Sequence, residues 1–377
     1  MRNYRRLIFV CAFLVVVITR SAFCLASGNA VVGINFMGAG KMTVAQQNDV
    51  LGKMKNAGVH TIRTGITPDD LHGIDFAHRA QEQGISIVWI VSFQYRPDAP
   101  NVPWPNPYNS WGGHPLSSAD PDQFRAYFEP MLAKLEASGV ILAGLELGNE
   151  INGGAFNADF VLPPETGQPR LFGAGDLESN PHAQQIATGF LQYLKVLAVL
   201  KDVRDHSKLN RSTPIISAGL VGTEYPEGPR TGVKLDGVST AGTIEFMRAH
   251  GLDQLVDAYG IHVYPSTDNP GKPEALQRRK SLLAQYDLSE CQPGGRLNGK
   301  PCWITEWGFT NHDSSCPVHE ANQVALVQEM RADFQPYVAR GSVVGLLYYA
   351  WPDSNDNYTV YRCDSLTNTG KLALSPM

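Results

Sequence analysis

The sequence lacks an apolar run of membrane-spanning length. The run "LIFVCAFLVVVI", Leu7 to Ile18, has about a dozen residues where a spanning helix needs about 20. It follows Arg2, Arg5 and Arg6 and precedes small residues around Ala22 to Ser27. That is the layout of an export signal, and cleavage is expected after Ala26. "SAFC" does not make a lipid-attachment motif, because bulky Phe23 stands before Cys24. Positive charge is also scarce. Residues 1–26 hold four arginines and no acid, so their loss takes the formal charge from −5 to −9. Such a chain is a poor nucleic-acid binder, and without an anchor no stable membrane partner is expected.

No C-x-x-C spacing occurs, which excludes a zinc site built from cysteines. Cys11 and Cys24 leave with the signal, and Cys291, Cys302, Cys316 and Cys363 remain. In an oxidising compartment an even set means disulfides, with three pairings open. No Pro/Ser linker, heptad run or charge block divides the mature chain. About 350 residues can fill one large barrel, so residues 27–377 are read as one domain.

What is present is a recurring unit: a helix-like segment, a glycine, then a β-branched run. It appears in "KMKNAGVHTIRT", "AQEQGISIVWIV", "KLEASGVILAGLEL", "MRAHGLDQLVDAYGIHV" and "VARGSVVGLLYYA". Glycine suits a left-handed helix C-cap, and the run after it suits a buried parallel strand. Eight strands are predicted, over 31–36, 59–64, 85–92, 140–148, 214–219, 257–263, 302–306 and 343–350. Helices are predicted between them, among them 43–56, opened by a Thr43–Gln46 capping box, and 186–205. The pattern is α/β, a (β/α)8 barrel whose eighth helix is short or missing, since nothing amphipathic follows Trp351. A doubly wound sheet would want a glycine-rich first turn. "GINFMGAGK" offers neither G-x-G-x-x-G nor a P-loop.

In a barrel, function collects at the C-terminal ends of the strands. Strand four, "VILAGLEL", runs into Asn149 and Glu150, and strand seven, "PCWITEWGF", ends in Glu306. A carboxylate at the lip of a core is costly unless something there uses it. "LELGNEIN" with "WITEWGF" resembles the clan of retaining β-glycosidases that includes the family-five cellulases and mannanases and family thirty-nine. The resemblance runs in strand order over nearly the whole mature chain. It implies Glu150 as acid/base and Glu306 as nucleophile. It further implies Arg63 as the strand-two arginine that keeps the nucleophile ionised, and His262 and Tyr264 as the strand-six pair, the tyrosine bonding the nucleophile. Trp351 matches the strand-eight tryptophan that floors the sugar site, and Asn149 the asparagine that meets the sugar 2-OH. Asn35 and Trp307, at the ends of strands one and seven, are placed with these as substrate contacts. No cofactor and no metal are implied.

Such chemistry needs one carboxyl ionised and one protonated; crowding separates their pKa values, and a cation such as Arg63 holds one low. Strand parity puts Glu146 on the same side as Glu150, so Glu146 is read as a structural partner for Arg63. The insert "QYRPDAPNVPWPNPYNSWGGHP" holds Tyr95, Trp104, Tyr108 and Trp111 on a proline-stiffened loop, flat surfaces for pyranose rings. "NGGAFNADFVLPPETGQPRLFGAG" is read as a second wall. Cys291 and Cys302 fall at the N-terminal face, and Cys316 and Cys363 at the catalytic face, so 291–302 and 316–363 are the simplest pairs. A metal-dependent barrel hydrolase would want H-x-H after strand one, which "GINFMG" lacks. The expectation is a secreted, extracellular or periplasmic hydrolase of a β-linked glycan. The alternatives are a non-catalytic glycan-binding barrel and a transglycosidase using the same carboxylates.

Overall fold

The computed structural model describes residues 29–66, 72–103, 111–160, 170–222, 235–265, 298–352 and 357–377. The expected signal segment, Trp104, Tyr108 and Cys291 therefore lie outside the described residues.

The barrel strands are β1 (Val31–Asn35), β2 (Thr61–Gly65), β3 (Ser86–Val91), β4 (Gly144–Leu147), β5, β6 (Tyr259–Val263), β7 (Cys302–Trp307) and β8 (Val343–Tyr348). β5 is one segment in two pieces, Ile215–Ile216 and Leu220–Val221. Its first piece pairs with β4 and its second with β6, all in parallel. The two edges of the sheet thus belong to one segment, and the barrel closes there, helped by a bridge from Ile216 to Ala258. Each strand overlaps its predicted run; β2, β5 and β7 end beyond it, at Gly65, Val221 and Trp307, and strand four starts later, at Gly144.

The larger helices between strands are α1 (Val44–Asn56), α2 (Gly73–Glu82), α3 (Pro121–Ala137), α4 (Gln184–His206), α5 (Thr240–Ala249) and α6 (Ala321–Ala339), and a short α7 (Asn368–Ala373) follows β8. The capping box is present at α1: Thr43 Oγ1 accepts from Gln46 N, and Gln46 Oε1 accepts from Thr43 N. Asp120 caps α3 by accepting from Asp122 N and Gln123 N, with Pro121 in the first turn, where its missing N–H costs nothing. Gly58, Gly84, Gly139, Gly251 and Gly341 all have positive φ, the left-handed turn that each repeat of the sequence requires. The eighth helix, α7, has 6 residues.

Most of the core lies between strands and helices. A smaller cluster of Val88, Ile216, Ala258, Trp303 and Leu347 fills the barrel itself. Trp303 fits because Gly345 faces it; a Cβ there would sit 2.2 Å from the indole. Above this apolar plug the inward positions turn polar, and that layer is the base of the site.

Candidate active site

β2 and β4 send Arg63 and Glu146 into the barrel one layer above the plug. Both are almost wholly buried, and Arg63 Nε donates to Glu146 Oε2 at 2.5 Å. The other face of the guanidinium points up the barrel. Nη1 donates to Glu306 Oε1 at 2.6 Å and to Asn35 Oδ1 at 2.8 Å, and Nη2 donates to Asn149 Oδ1 at 3.0 Å. Thr305 Oγ1 occupies the remaining oxygen of Glu146 at 2.9 Å. Burial alone would weaken the arginine's charge. Glu146 and Glu306 outweigh it and hold the guanidinium charged.

Glu306 reaches this cation through a β-bulge. The pairing of β7 with β6 shifts register between Ile304 and Glu306, so Thr305 and Glu306 both face inward. An extra residue in a strand re-aims the side chains after it. Its second oxygen, Oε2, accepts from Tyr264 Oη at 2.5 Å. Burial would raise the Glu306 pKa, but His262, Arg63 and the tyrosine hydroxyl outweigh it, and the carboxyl stays below its ordinary value. Tyr264 is pushed well above the ordinary phenol value, first by burial and then by the Glu306 charge, so it remains a donor.

Glu150 stands at the lip with φ 45°. A left-handed non-glycine residue costs about 1–3 kcal/mol. Here Glu150 N donates to Gly219 O at 2.8 Å, and Gly153 N donates to Glu150 O at 3.1 Å, which fix the turn. His262 stands between the two acids: Nδ1 is 2.8 Å from Glu150 Oε1 and 3.5 Å from Glu306 Oε2. Its Nε2 is buried with no hydrogen-bond partner among the described residues. That nitrogen lies toward Gly219, where a Cβ would stand 2.1 Å away. One oxygen each of Glu150 and Glu306 and a nitrogen of His262 lie within 4.8 Å of one another. Three such ligand atoms could face a metal ion. Both oxygens of Glu306 are already engaged, and the arginine cation 2.6 Å away opposes a second cation.

The sequence-predicted residues divide on this geometry. Asn149 and Tyr264 are half-buried beside the two acids, and Asn149, its oxygen held by Arg63, keeps its NH2 for other acceptors. Five residues expected to touch substrate are buried. Asn35 is 0% exposed: its NH2 donates to Thr305 O, Leu347 O and Tyr348 O, so it ties β1 to β7 and β8 and steers Arg63. Trp307 is 0% exposed because the bulge sends it outward, edge-on to Phe334 of α6 and Tyr348. Arg63 and His262 act on the carboxylates from within the wall. Trp351 is 2% exposed and stacked on Tyr361, with ring centroids 4.5 Å apart, which leaves it no open face for a sugar.

The strand-eight aromatic beside Tyr264 is Tyr349, half-buried and edge-on to it. The doublet Tyr348–Tyr349 carried that signal: adjacent residues at a strand end face opposite ways, and Tyr348 packs outward on Trp307. Tyr95 packs on His114 and Phe93, whereas Trp111 stands out in solvent. Cys316 and Cys363 form the expected disulfide. Cys302 is disulfide-bonded too; its expected partner, Cys291, is outside the described residues.

No family model matches this chain, and no curated protein matches it. Its likenesses are to solved structures of glycoside hydrolases. It is similar to the catalytic domain of GH30 xylanase C from Talaromyces cellulolyticus, with a TM-score of 0.51 and 11% identity, over 92% of this chain and 75% of that one. It is also similar to the hyperthermostable endo-1,4-beta-D-mannanase from Thermotoga petrophila RKU-1, with a TM-score of 0.48 and 12% identity, over 91% of this chain and 98% of that one. For the Saccharomyces cerevisiae protein Gas2 the TM-score is 0.44 at 14% identity; 92% of this chain aligns, and it spans 63% of that chain. At these identities the likeness to the xylanase domain establishes the fold, a (β/α)8 barrel.

Proposed function

We propose that this chain is an exported β-glycosidase working by two-step retention, with one catalytic domain over residues 27–377. The observation that carries the reading is the spacing of the acids, with one oxygen of each, bracketing His262, within 4.8 Å. Retaining enzymes hold their carboxyls about 5–5.5 Å apart, whereas inverting ones need about 6.5–9.5 Å to admit a water. Glu306, ionised beside Arg63, attacks the anomeric carbon as the bond to the leaving oxygen breaks. Glu150 gives that oxygen its proton. Glu150 then takes a proton from water, the water oxygen bonds to the anomeric carbon, and the Glu306 carboxylate is released. Asn149 donates to the sugar 2-OH, Tyr264 steadies the nucleophile, and Tyr349 takes the flooring role first expected of Trp351. The disulfide at the catalytic face is consistent with an oxidising destination. Among the described residues no helix is long and apolar enough to cross a membrane.

The test is turnover of aryl β-glycosides and of a panel of glucans, mannans, xylans and galactans, with the first-formed anomer followed by NMR. Release of the β anomer first supports the reading. An α anomer released first, or no turnover with any substrate, sinks it; glycan binding without turnover would favour the non-catalytic barrel.

A further inference from the structure

Trp111 and Phe156 lie on different loops, one after β3 and one after β4, and both are exposed, at 60% and 36%. These strands are neighbours in the barrel, so both loops leave the same rim. The rings are nearly parallel, at 25°, with centroids 6.3 Å apart. That spacing is an offset pair, and both rings keep exposed surface.

The pair is held in place from below. Trp111 N donates to Ala155 O at 2.9 Å, and Leu116 N donates to Asn157 Oδ1 at 3.2 Å. The Asp159 carboxylate accepts from Ser117 N, Ser117 Oγ and Gln185 Nε2, so it joins both loops to α4. Aromatic surface fixed before a ligand arrives costs little ordering on binding. The platform is also close to the acids. Gly153 N donates to Glu150 O and Phe156 N to Gly153 O, two successive turns. Each holds its ends within about 7 Å, so the Phe156 Cα is within about 14 Å of the Glu150 Cα.

We propose that Trp111 and Phe156 form a distal subsite for a neutral pyranose chain that runs on from the carboxylate pair, which makes the preferred substrate a polymer. The chain as occupant rests on the proposed glycosidase reading. Two features favour this occupant. The platform is continuous with Glu150, and its exposed side chains are flat aromatic rings, the Asp159 carboxylate beneath being buried and already bonded. Pyranose rings present C–H faces of the matching kind, with hydroxyls at their edges.

The experiment is affinity electrophoresis of the full chain in gels containing soluble β-glucan, β-xylan, β-mannan or β-galactan, in a Glu150→Gln background so that the polymer survives. Trp111→Ala and Phe156→Ala are then added singly, with Trp111→Phe as a variant that keeps a ring. Retardation by at least one polymer is expected, weakened about tenfold in dissociation constant by either alanine, the factor that about 1.4 kcal/mol represents, and largely kept in Trp111→Phe. Equal retardation with and without the two rings overturns the proposal, as does retardation by none of the polymers. A wild-type chain that is a dimer and becomes monomeric in Trp111→Ala also overturns it, because the occupant would then be a second copy. Gel binding needs no turnover, so failure of the glycosidase reading is read separately, from the unmutated chain on aryl glycosides.

Discussion

Arg63 and Glu146 form a buried ion pair, Nε to Oε2 at 2.5 Å, and the same guanidinium reaches Glu306 with Nη1 at 2.6 Å. One cation therefore serves two carboxylates, one structural and one proposed as nucleophile. Glu146 fixes the plane of the fork, and Asn35 and Asn149 take its remaining directions.

Removing one carboxylate tests this sharing. Glu146→Gln leaves the guanidinium charge to Glu306 alone, so the acid limb of kcat/KM is expected to move down in pH. Breaking a buried pair by removing one partner also costs about 3–5 kcal/mol, which denaturant midpoints will report. A stability within about 1 kcal/mol of the parent would show that the pair is worth no more than an exposed one.

Removing the cation gives the opposite sign. The Glu306 pKa lies below its ordinary value because His262, Arg63 and Tyr264 together outweigh burial. Activity needs the carboxylate, so it is lost as pH falls through that depressed value. In Arg63→Met burial gains weight, and the acid limb should rise. Arg63→Lys, which keeps the charge without the fork, should shift it less. An acid limb that stays put in Arg63→Met would remove Arg63 from the ionisation of Glu306.

The two acids are separated by chemistry. Glu306→Gln should abolish turnover. Glu150→Ala should lower it by about 10²–10⁴ on glycosides with poor leaving groups and recover with azide on activated ones, giving the β-glycosyl azide. An α-azide would show inversion.

Gly219→Ala is a test by crowding. The new Cβ would lie 2.1 Å from His262 Nε2 and 2.9 Å from Glu146 Oε1, so the buried imidazole must shift toward the carboxylates. A fall in kcat of about tenfold or more is expected, a barrier rise of about 1.4 kcal/mol, with KM changed much less. Wild-type kcat in a folded Gly219→Ala protein would mean that the position of His262 does not matter.

The disulfide closes a 47-residue separation between the loops after β7 and β8. Replacing Cys316 and Cys363 together by serine should cost about 2–4 kcal/mol, read from thermal midpoints under non-reducing conditions. Peptide mapping without reduction should also recover Cys291 linked to Cys302; a 302–316 link would defeat the assignment, since Cys302 and Cys316 lie at opposite ends of the barrel.

The sequence alone determined the repeating unit and the lip carboxylates. Gly58, Gly84 and Gly139 each end a helix because a left-handed residue is needed there, and the runs that follow can only be buried strands. Thr43 and Gln46 set the start of α1 within four residues. These are short-range causes, readable wherever the residues sit. The meeting of Arg63 with Glu146, 83 positions away, followed from strand parity, whereas its meeting with Glu306, 243 positions away, was reached only through a resemblance, since the curvature of the closed barrel, and no local preference, brings those side chains together. The bulge at Ile304–Glu306 lay further from view. Plain alternation along β7 would give Trp307 to the site, whereas one slipped residue turns Glu306 in and Trp307 out. The same limit hid the burial of Asn35 and Trp351 and the stacking of Phe156 on Trp111. Which face of a ring stays open is fixed by neighbours distant in sequence, and only the packed chain decides it.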